Sequence, residues 1–168
     1  MSDTIRRLLF PGKPDRPEIL YEDLATDDLQ LVLTRYSYGS AYVGRLPCWF
    51  FSIYNQDRDL MGMCDLRWGW AEEIAYAGHI GYRIFPGYRG HGYAQAAARL
   101  LLGFAYRLKM ETVLITCDPD NAPSRRTLEN LKGRFDGIAE VPRGTPAWRS
   151  GDREKCQFWY KTANYKLD

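Results

Sequence analysis

The residues best suited to chemistry lie in residues 84–94, whose sequence is IFPGYRGHGYA. Gly90 and Gly92 allow a tight turn that brings consecutive backbone N–H groups to one side. Where a helix begins at such a turn, its unpaired first amides and its dipole also favour an anion. Arg89 adds a full positive charge. The stretch therefore predicts a binding site for a phosphate or pyrophosphate group.

Two patterned segments must position this loop. Residues 75–85 alternate as a strand, with Ile80, Tyr82 and Ile84 on one face. From Gly92 onward, apolar residues recur at steps of three and four, which predicts an amphipathic helix. Residues 111–117 follow as an apolar run typical of a strand buried on both faces. Strand, helix and strand together predict a right-handed βαβ unit with a parallel strand pair.

The rest of the chain predicts a single α/β domain over residues 29–168, preceded by a loosely organised leader over residues 1–28 with one short strand at 19–21. Further strands are expected at residues 29–36, 48–54, 60–68, 135–141 and 155–162. The strands at 48–54 and 60–68, with residues 75–85, should form an antiparallel meander. A short helix capped by Asp120 or Asn121 is expected to run to about Leu131.

Composition excludes several classes of protein. The chain has 168 residues, 45% hydrophobic and 26% charged, which is typical of one ordered globular domain. The net charge of +2 does not favour nucleic acid or a membrane surface as partner. We find no apolar run of membrane-spanning length and no secretory signal, so we expect a cytoplasmic protein. The four cysteines are scattered without metal-ligand spacing, which predicts buried reduced thiols and no zinc site.

Two motifs together resemble the GNAT superfamily of N-acyltransferases. One is Arg89-x-x-Gly92-x-Ala94, and the other is Asn121-x-x-Ser124 directly after the buried strand. The resemblance covers residues 29–162 and implies a twisted mixed sheet with a central βαβ unit. It also implies an acetyl-CoA-dependent N-acetyltransferase. The cofactor-binding residues that it implies are Ile84, Phe85, Arg89, Gly90, His91, Gly92, Tyr93, Ala94, Asn121 and Ser124.

Other interpretations of the loop fit less well. A glycine-rich turn after a strand is often only a turn. A Rossmann site would require G-x-G-x-x-G, whereas the glycines here run Gly87-x-x-Gly90-x-Gly92. A Walker-type loop would require a following GK[ST], which is absent.

The catalytic groups are less clearly marked. The resemblance implies direct attack of an amine on the thioester in a ternary complex. His79 is the first candidate for a general base, with a structural role in the strand as the alternative; Glu73 and Glu72 are the next candidates. Many relatives carry a tyrosine acid seven residues after the motif asparagine, where this chain has Leu128. The thiol would then leave unaided, or with help from water, Cys117 or another hydroxyl.

The acceptor site is the second departure from the family pattern. Relatives place two helices between their first two strands, whereas only residues 37–46 intervene here. The acceptor wall could be completed by the leader, by residues 68–73 or by a second subunit in a homodimer. Aromatic residues could line it, namely Tyr36, Tyr38, Tyr42, Trp68 and Trp70. The expected acceptor is an amine-bearing small molecule or peptide. The alternative function is a coenzyme-A-binding sensor or interaction module with little or no turnover.

Overall fold

The computed structural model describes residues 24–37 and 46–167. The predicted strand at 19–21 and the predicted acceptor-wall residues Tyr38 and Tyr42 lie outside these ranges. Among the described residues, seven strands form two antiparallel sheets, ordered β1-β2-β3-β4 and β5-β7-β6. The α/β class expected from the sequence is confirmed.

The first sheet contains the predicted meander and one further strand, β1. Its strands are β1 (Gln30–Ser37), β2 (Cys48–Tyr54), β3 (Leu60–Arg67) and β4 (Ile80–Ile84). Consecutive strands pair antiparallel, with a register shift in β1 between Leu33 and Arg35. One face of β2 buries Trp49, Phe51 and Ile53, and these side chains form part of the main core.

Helix α2 (Tyr93–Arg107) covers the core and connects the two sheets. It begins directly after Gly92, whose φ of +80° is readily adopted only by glycine. Eight of its residues are buried, from Ala97 to Ala105. Five of them lie on the apolar stripe that the sequence predicted, and Leu100, Leu102 and Gly103 widen the buried face. Phe104 packs edge-on against Trp49 and Phe51. Because the body of the helix is packed in the core, its first turn is held beside the end of β4.

The second sheet follows the helix. It contains β5 (Thr112–Cys117), β6 (Arg134–Glu140) and β7 (Glu154–Lys161), with β7 in the middle. Helix α3 (Ala122–Asn130) lies between β5 and β6, and the short helix α4 (Pro146–Arg149) lies in the β6–β7 connection. The sequence predicts α3, but it predicts no helix between the strands at 135–141 and 155–162.

Two expectations about β4 require correction. Residues 75–79 do not extend the strand, because Ile74–Ala77 form a short helix, α1, which ends at Gly78 with φ +71°. The expected parallel pairing of β4 with β5 is also absent from the described sheets, since β5 pairs with β7. The two strands contact each other at His79, whose N–H donates to Leu114 O at 2.7 Å. Beyond that point a space opens between them.

The core extends beyond the predicted start of the domain. Leu24 is fully buried in the main cluster, next to the bridge between Ala25 and Gln30. All four cysteines are buried and have free thiols, as expected. In the part of the chain that the structure describes, no helix is long and apolar enough to cross a membrane.

Candidate active site

The predicted anion-binding loop borders a groove of about 740 Å³, here called the first groove. Its walls are the end of β4, the turn at Pro86–Tyr88, the start of α2 and one face of α3. Eight of the ten predicted cofactor residues line this groove: Ile84, Arg89, Gly90, Gly92, Tyr93, Ala94, Asn121 and Ser124.

The loop geometry suits an anion. Gly90 and Gly92 have φ values of +86° and +80°, and a Cβ at either position would meet no atom within 4 Å. The backbone is therefore open to the groove at both glycines. The first amides of α2 have no intrahelical acceptor, because their partners would precede the helix. These residues fit a pyrophosphate group at the helix N-terminus.

The first groove is cationic. Arg83, Arg89 and Arg126 line it, and no carboxylate does so among the described residues. The Nε of Arg89 donates to Ile84 O at 3.0 Å, which fixes the guanidinium beside the end of β4. The charge of this groove therefore complements a substrate that carries several phosphates.

Asn121 and Ser124 lie at the start of α3. The side chain of Asn121 accepts a hydrogen bond from Ser124 N at 3.1 Å and so caps the helix. The Ser124 hydroxyl is 2.8 Å from the Tyr82 hydroxyl, across the space between α3 and β4. Burial raises the pKa of Tyr82 to about 12, although the hydrogen bond with Ser124 opposes this shift.

A second groove of about 320 Å³ adjoins the first. It lies where β4 and β5 diverge, and its lining includes Tyr76, Thr116 and Cys117. Three charged residues complete it. Lys155 Nζ is 2.5 Å from Asp118 Oδ1 and 3.1 Å from Asp152 Oδ2, which leaves one net negative charge in this cluster. The second groove thus differs from the first in the sign of its charge.

His79 occupies a structural position. Its side chain is 1% exposed and lines neither groove. Its Nδ1 accepts from Leu114 N at 2.9 Å, so its Nε2, 3.0 Å from Gly69 O, carries the proton and donates. Burial lowers the pKa of His79 to about 4. The ring therefore has no free lone pair with which to accept a proton from an amine.

Several other predicted residues lie outside both grooves: Glu72, Glu73, Phe85 and His91. Phe85 N donates to Met61 O at 2.8 Å, so this amide is directed toward β3 and away from the first groove. His91 contacts the ring of Tyr93 and is exposed. Leu128, at the position of the usual tyrosine, is fully buried in the core.

The predicted acceptor-wall aromatics also take packing roles. Tyr36 contacts Trp49, Trp70 stacks on Trp159, and Trp68 Nε1 donates to Leu108 O at 3.2 Å. The three of them line neither groove.

Sequence reasoning missed functional candidates on both sides of the first groove. Tyr82 was noted only as a strand residue, and Arg126, Thr127 and Asn130 were not singled out. The last three recur at helical spacing on one face of α3, opposite the buried Leu128. That polar stripe was the available signal. No described group of three or more His, Cys, Asp or Glu side chains could hold a metal ion.

Comparison with known proteins identifies the class. Residues 13–134 match the family described as the acetyltransferase (GNAT) domain. The chain is 31% identical over 72 residues to the uncharacterized N-acetyltransferase YnaD of Bacillus subtilis, a match that covers 41% of this chain and 42% of YnaD. The chain therefore spans less than half of the length of this curated relative.

Solved structures share the fold. The ribosomal-protein-S5-alanine acetyltransferase of Vibrio fischeri has a TM-score of 0.55 at 15% identity, over 71% of this chain and 64% of that one. RimJ of Mycobacterium smegmatis, solved in complex with CoA-disulfide, has a TM-score of 0.54 at 21% identity, over 72% and 56%.

The family match covers most of the chain, and the first groove has the geometry of an anion site beside a glycine loop. The chain belongs to the GNAT acetyltransferase family, whose members are acyltransferases that use acetyl-CoA.

Proposed function

We propose that this protein is an acetyl-CoA-dependent N-acetyltransferase that transfers an acetyl group to a primary amine by direct attack. The observation that carries this proposal is the continuity of two grooves of opposite charge. The cationic groove has the loop and helix N-terminus for a phosphorylated donor, and the anionic groove opens beside it.

In the donor site, Gly90, Gly92 and the first amides of α2 would bind the pyrophosphate, with Arg89 and Arg126 as neighbouring cations. The exposed edge of β4 would bind the pantetheine arm. Because Phe85 N donates toward β3, the alternation of an antiparallel ladder turns the backbone of Tyr82 and Ile84 away from β3 and toward the groove. Those two residues therefore offer main-chain groups to an extended amide-containing chain.

The acceptor would enter through the second groove. A lysine-like amine has a pKa of about 10.4 and arrives as an ammonium ion at neutral pH. The carboxylates of Asp118 and Asp152 outnumber the single ammonium of Lys155, so the groove attracts a cationic acceptor. Its small volume suits an amino terminus or a lysine side chain better than a bulky ring system.

The amine must lose a proton before it attacks. Neutralising it at pH 7 costs about 4.6 kcal/mol, at 1.36 kcal/mol per pKa unit. With His79 engaged by backbone groups, we assign the removal of this proton to water in the second groove, oriented by its carboxylates. Glu73 lies outside that groove and is not part of this assignment.

The first test is a calorimetric titration with acetyl-CoA, with NADH and ATP as controls. We expect micromolar binding of acetyl-CoA alone. Release of free coenzyme A is then followed with a panel of peptides and polyamines. Absence of acetyl-CoA binding would refute the donor site, and comparable binding of NADH would favour a dinucleotide site instead.

A second candidate is a coenzyme-A-binding module without turnover. Two observations favour it: Leu128 replaces the usual tyrosine in the core, and His79 has no free lone pair. Tight binding of acetyl-CoA without release of coenzyme A by any amine in the panel would support this function over catalysis.

A further inference from the structure

The two grooves share three residues among those described, namely Tyr82, Asn121 and Ser124. If the acyl donor occupies the first groove and the amine the second, the bond that breaks must lie where the grooves meet. A group that stabilises the leaving sulfur must therefore come from this boundary. The following inference rests on the proposed function.

The shared residues differ in what they can still donate. The Asn121 amide oxygen accepts from Ser124 N in the cap of α3, which leaves its amide N–H groups as donors, and these are far weaker acids than a phenol. The nearby Thr127 hydroxyl donates to Pro123 O at 3.1 Å. Tyr82 and Ser124 are bonded to each other by their hydroxyls at 2.8 Å, and the Tyr82 hydroxyl also interacts with Thr127. When Ser124 and Thr127 act as its neighbours and Ser124 donates to it, the phenol keeps its proton for a third group.

Tyr82 is held rigidly enough to act at a defined point. Its ring packs against the main core, and its backbone pairs with Cys64 of β3. The phenol reaches from β4 toward the first turn of α3. One turn further along the helix, the side chain of Leu128 is buried in the core instead.

We propose that the Tyr82 hydroxyl is the hydrogen-bond donor to the leaving sulfur, and that Ser124 holds the phenol in position. Tyr82 thus supplies from β4 the hydroxyl that many relatives supply from the position of Leu128.

The atoms balance as follows. The amine nitrogen attacks the carbonyl carbon and forms the C–N bond; collapse of the tetrahedral adduct breaks the C–S bond, and its electron pair stays on sulfur. The nitrogen loses its proton to water. Tyr82 keeps its proton and donates a hydrogen bond to the thiolate, which takes a proton from water when it leaves the site.

The pKa values of the two groups favour a hydrogen bond from Tyr82 to the sulfur over transfer of the Tyr82 proton. Burial raises the pKa of Tyr82 to about 12, whereas a thiol titrates near 8.5. The phenol is therefore the weaker acid and stays protonated at neutral pH. Cys117 fits this role less well, because it lines only the second groove and burial raises its pKa to about 11.

The experiment compares Tyr82→Phe with the wild type, using an amine from the panel that supports turnover. We expect kcat to fall about 10- to 100-fold, since a hydrogen bond to a charged group is lost. The Kd for acetyl-CoA, measured by calorimetry, should change by less than about twofold. Tyr54→Phe, outside both grooves, serves as the matched control and should keep full activity.

Two further variants separate a catalytic phenol from a structural one. Replacing Tyr82 with 3-fluorotyrosine retains a hydroxyl and should keep kcat within about threefold of the wild type. Ser124→Ala should lower kcat less than Tyr82→Phe does. An unchanged kcat in Tyr82→Phe, a larger loss in Ser124→Ala, or failure of 3-fluorotyrosine to restore activity would each overturn this inference. No turnover by the wild type would instead overturn the proposed function, and this inference with it.

Discussion

The two grooves carry charges of opposite sign. The first is lined by three arginines and by backbone at two glycines, whereas the second contains two carboxylates bound to one lysine. Substrates of opposite charge would therefore be drawn to separate entrances and meet between them. Under the proposed function, this separation of charge would direct donor and acceptor to different grooves.

The contact between β4 and β5 also differs from one end of these strands to the other. At the closed end, His79 joins β4 to β5 through its backbone N–H and its Nδ1, which both bond to Leu114, while its Nε2 bonds to Gly69 O. At the open end, Tyr82 and Ser124 span a gap that no strand pairing fills in the described sheets. The buried histidine thus fixes the point from which β4 and β5 diverge toward the second groove.

The largest expected effect concerns this closed end. Folding lowers the pKa of His79 from 6.5 to about 4, so the native state resists protonation. The stability that depends on neutral His79 is fully present above pH 6.5 and is lost as the pH falls toward 4. We expect about 3 kcal/mol of unfolding free energy to be lost over that range.

Urea denaturation at several pH values measures this loss. His79→Asn should be less stable at pH 7 but should lose less stability on acidification than the wild type does. Its acetyl-CoA affinity should persist wherever it is folded. Parallel pH curves for the two proteins would contradict the structural role of His79.

The next effect tests the first groove. Gly92→Val should weaken acetyl-CoA binding by at least about 2 kcal/mol, because the side chain would enter the space for the pyrophosphate. Gly144→Val is the matched control, since Gly144 also has a positive φ of +81° and open surroundings but lies outside both grooves. Calorimetry should show weaker binding only in Gly92→Val; equal affinities would refute the loop assignment.

A smaller effect tests whether the acceptor binds in the second groove. Asp152→Asn removes one carboxylate from the cluster and should raise the KM for a cationic acceptor about three- to fivefold, typical of a partly exposed charge. The acetyl-CoA affinity should not change. Asp136→Asn is the control, because that carboxylate pairs with Arg134 on an exposed strand. If both variants raise KM equally, the acceptor does not use the second groove.

The smallest effect concerns the missed arginine of the first groove. Arg126→Gln should weaken acetyl-CoA binding about two- to threefold, and the difference should shrink with added salt. Its neighbour Arg125 pairs with Glu129 and does not line the groove, so Arg125→Gln should bind normally. Calorimetric titrations at low and high ionic strength would decide between these outcomes.

Local patterns predicted much of this structure. The aromatic, β-branched run before a polar turn defined β2 at Cys48–Tyr54, and the spacing of alanines and leucines defined α2. The short helix Ile74–Ala77 was missed because its buried residues, Ile74 and Tyr76, alternate in the sequence as strand residues do. In a segment of only four residues, the spacing of apolar residues cannot distinguish a helix from a strand.

The sequence by itself determined the glycine loop at the start of α2, since its glycines, its arginine and the helix start lie next to one another in the chain. Only the tertiary structure decided the rest of the site. Asp118 and Lys155 meet because β5 pairs with β7 in the register that joins Cys117 to Cys156. The same long-range packing buried His79 and turned the Tyr82 hydroxyl toward Ser124. Chemistry that depends on burial and on contacts between distant segments requires the folded chain.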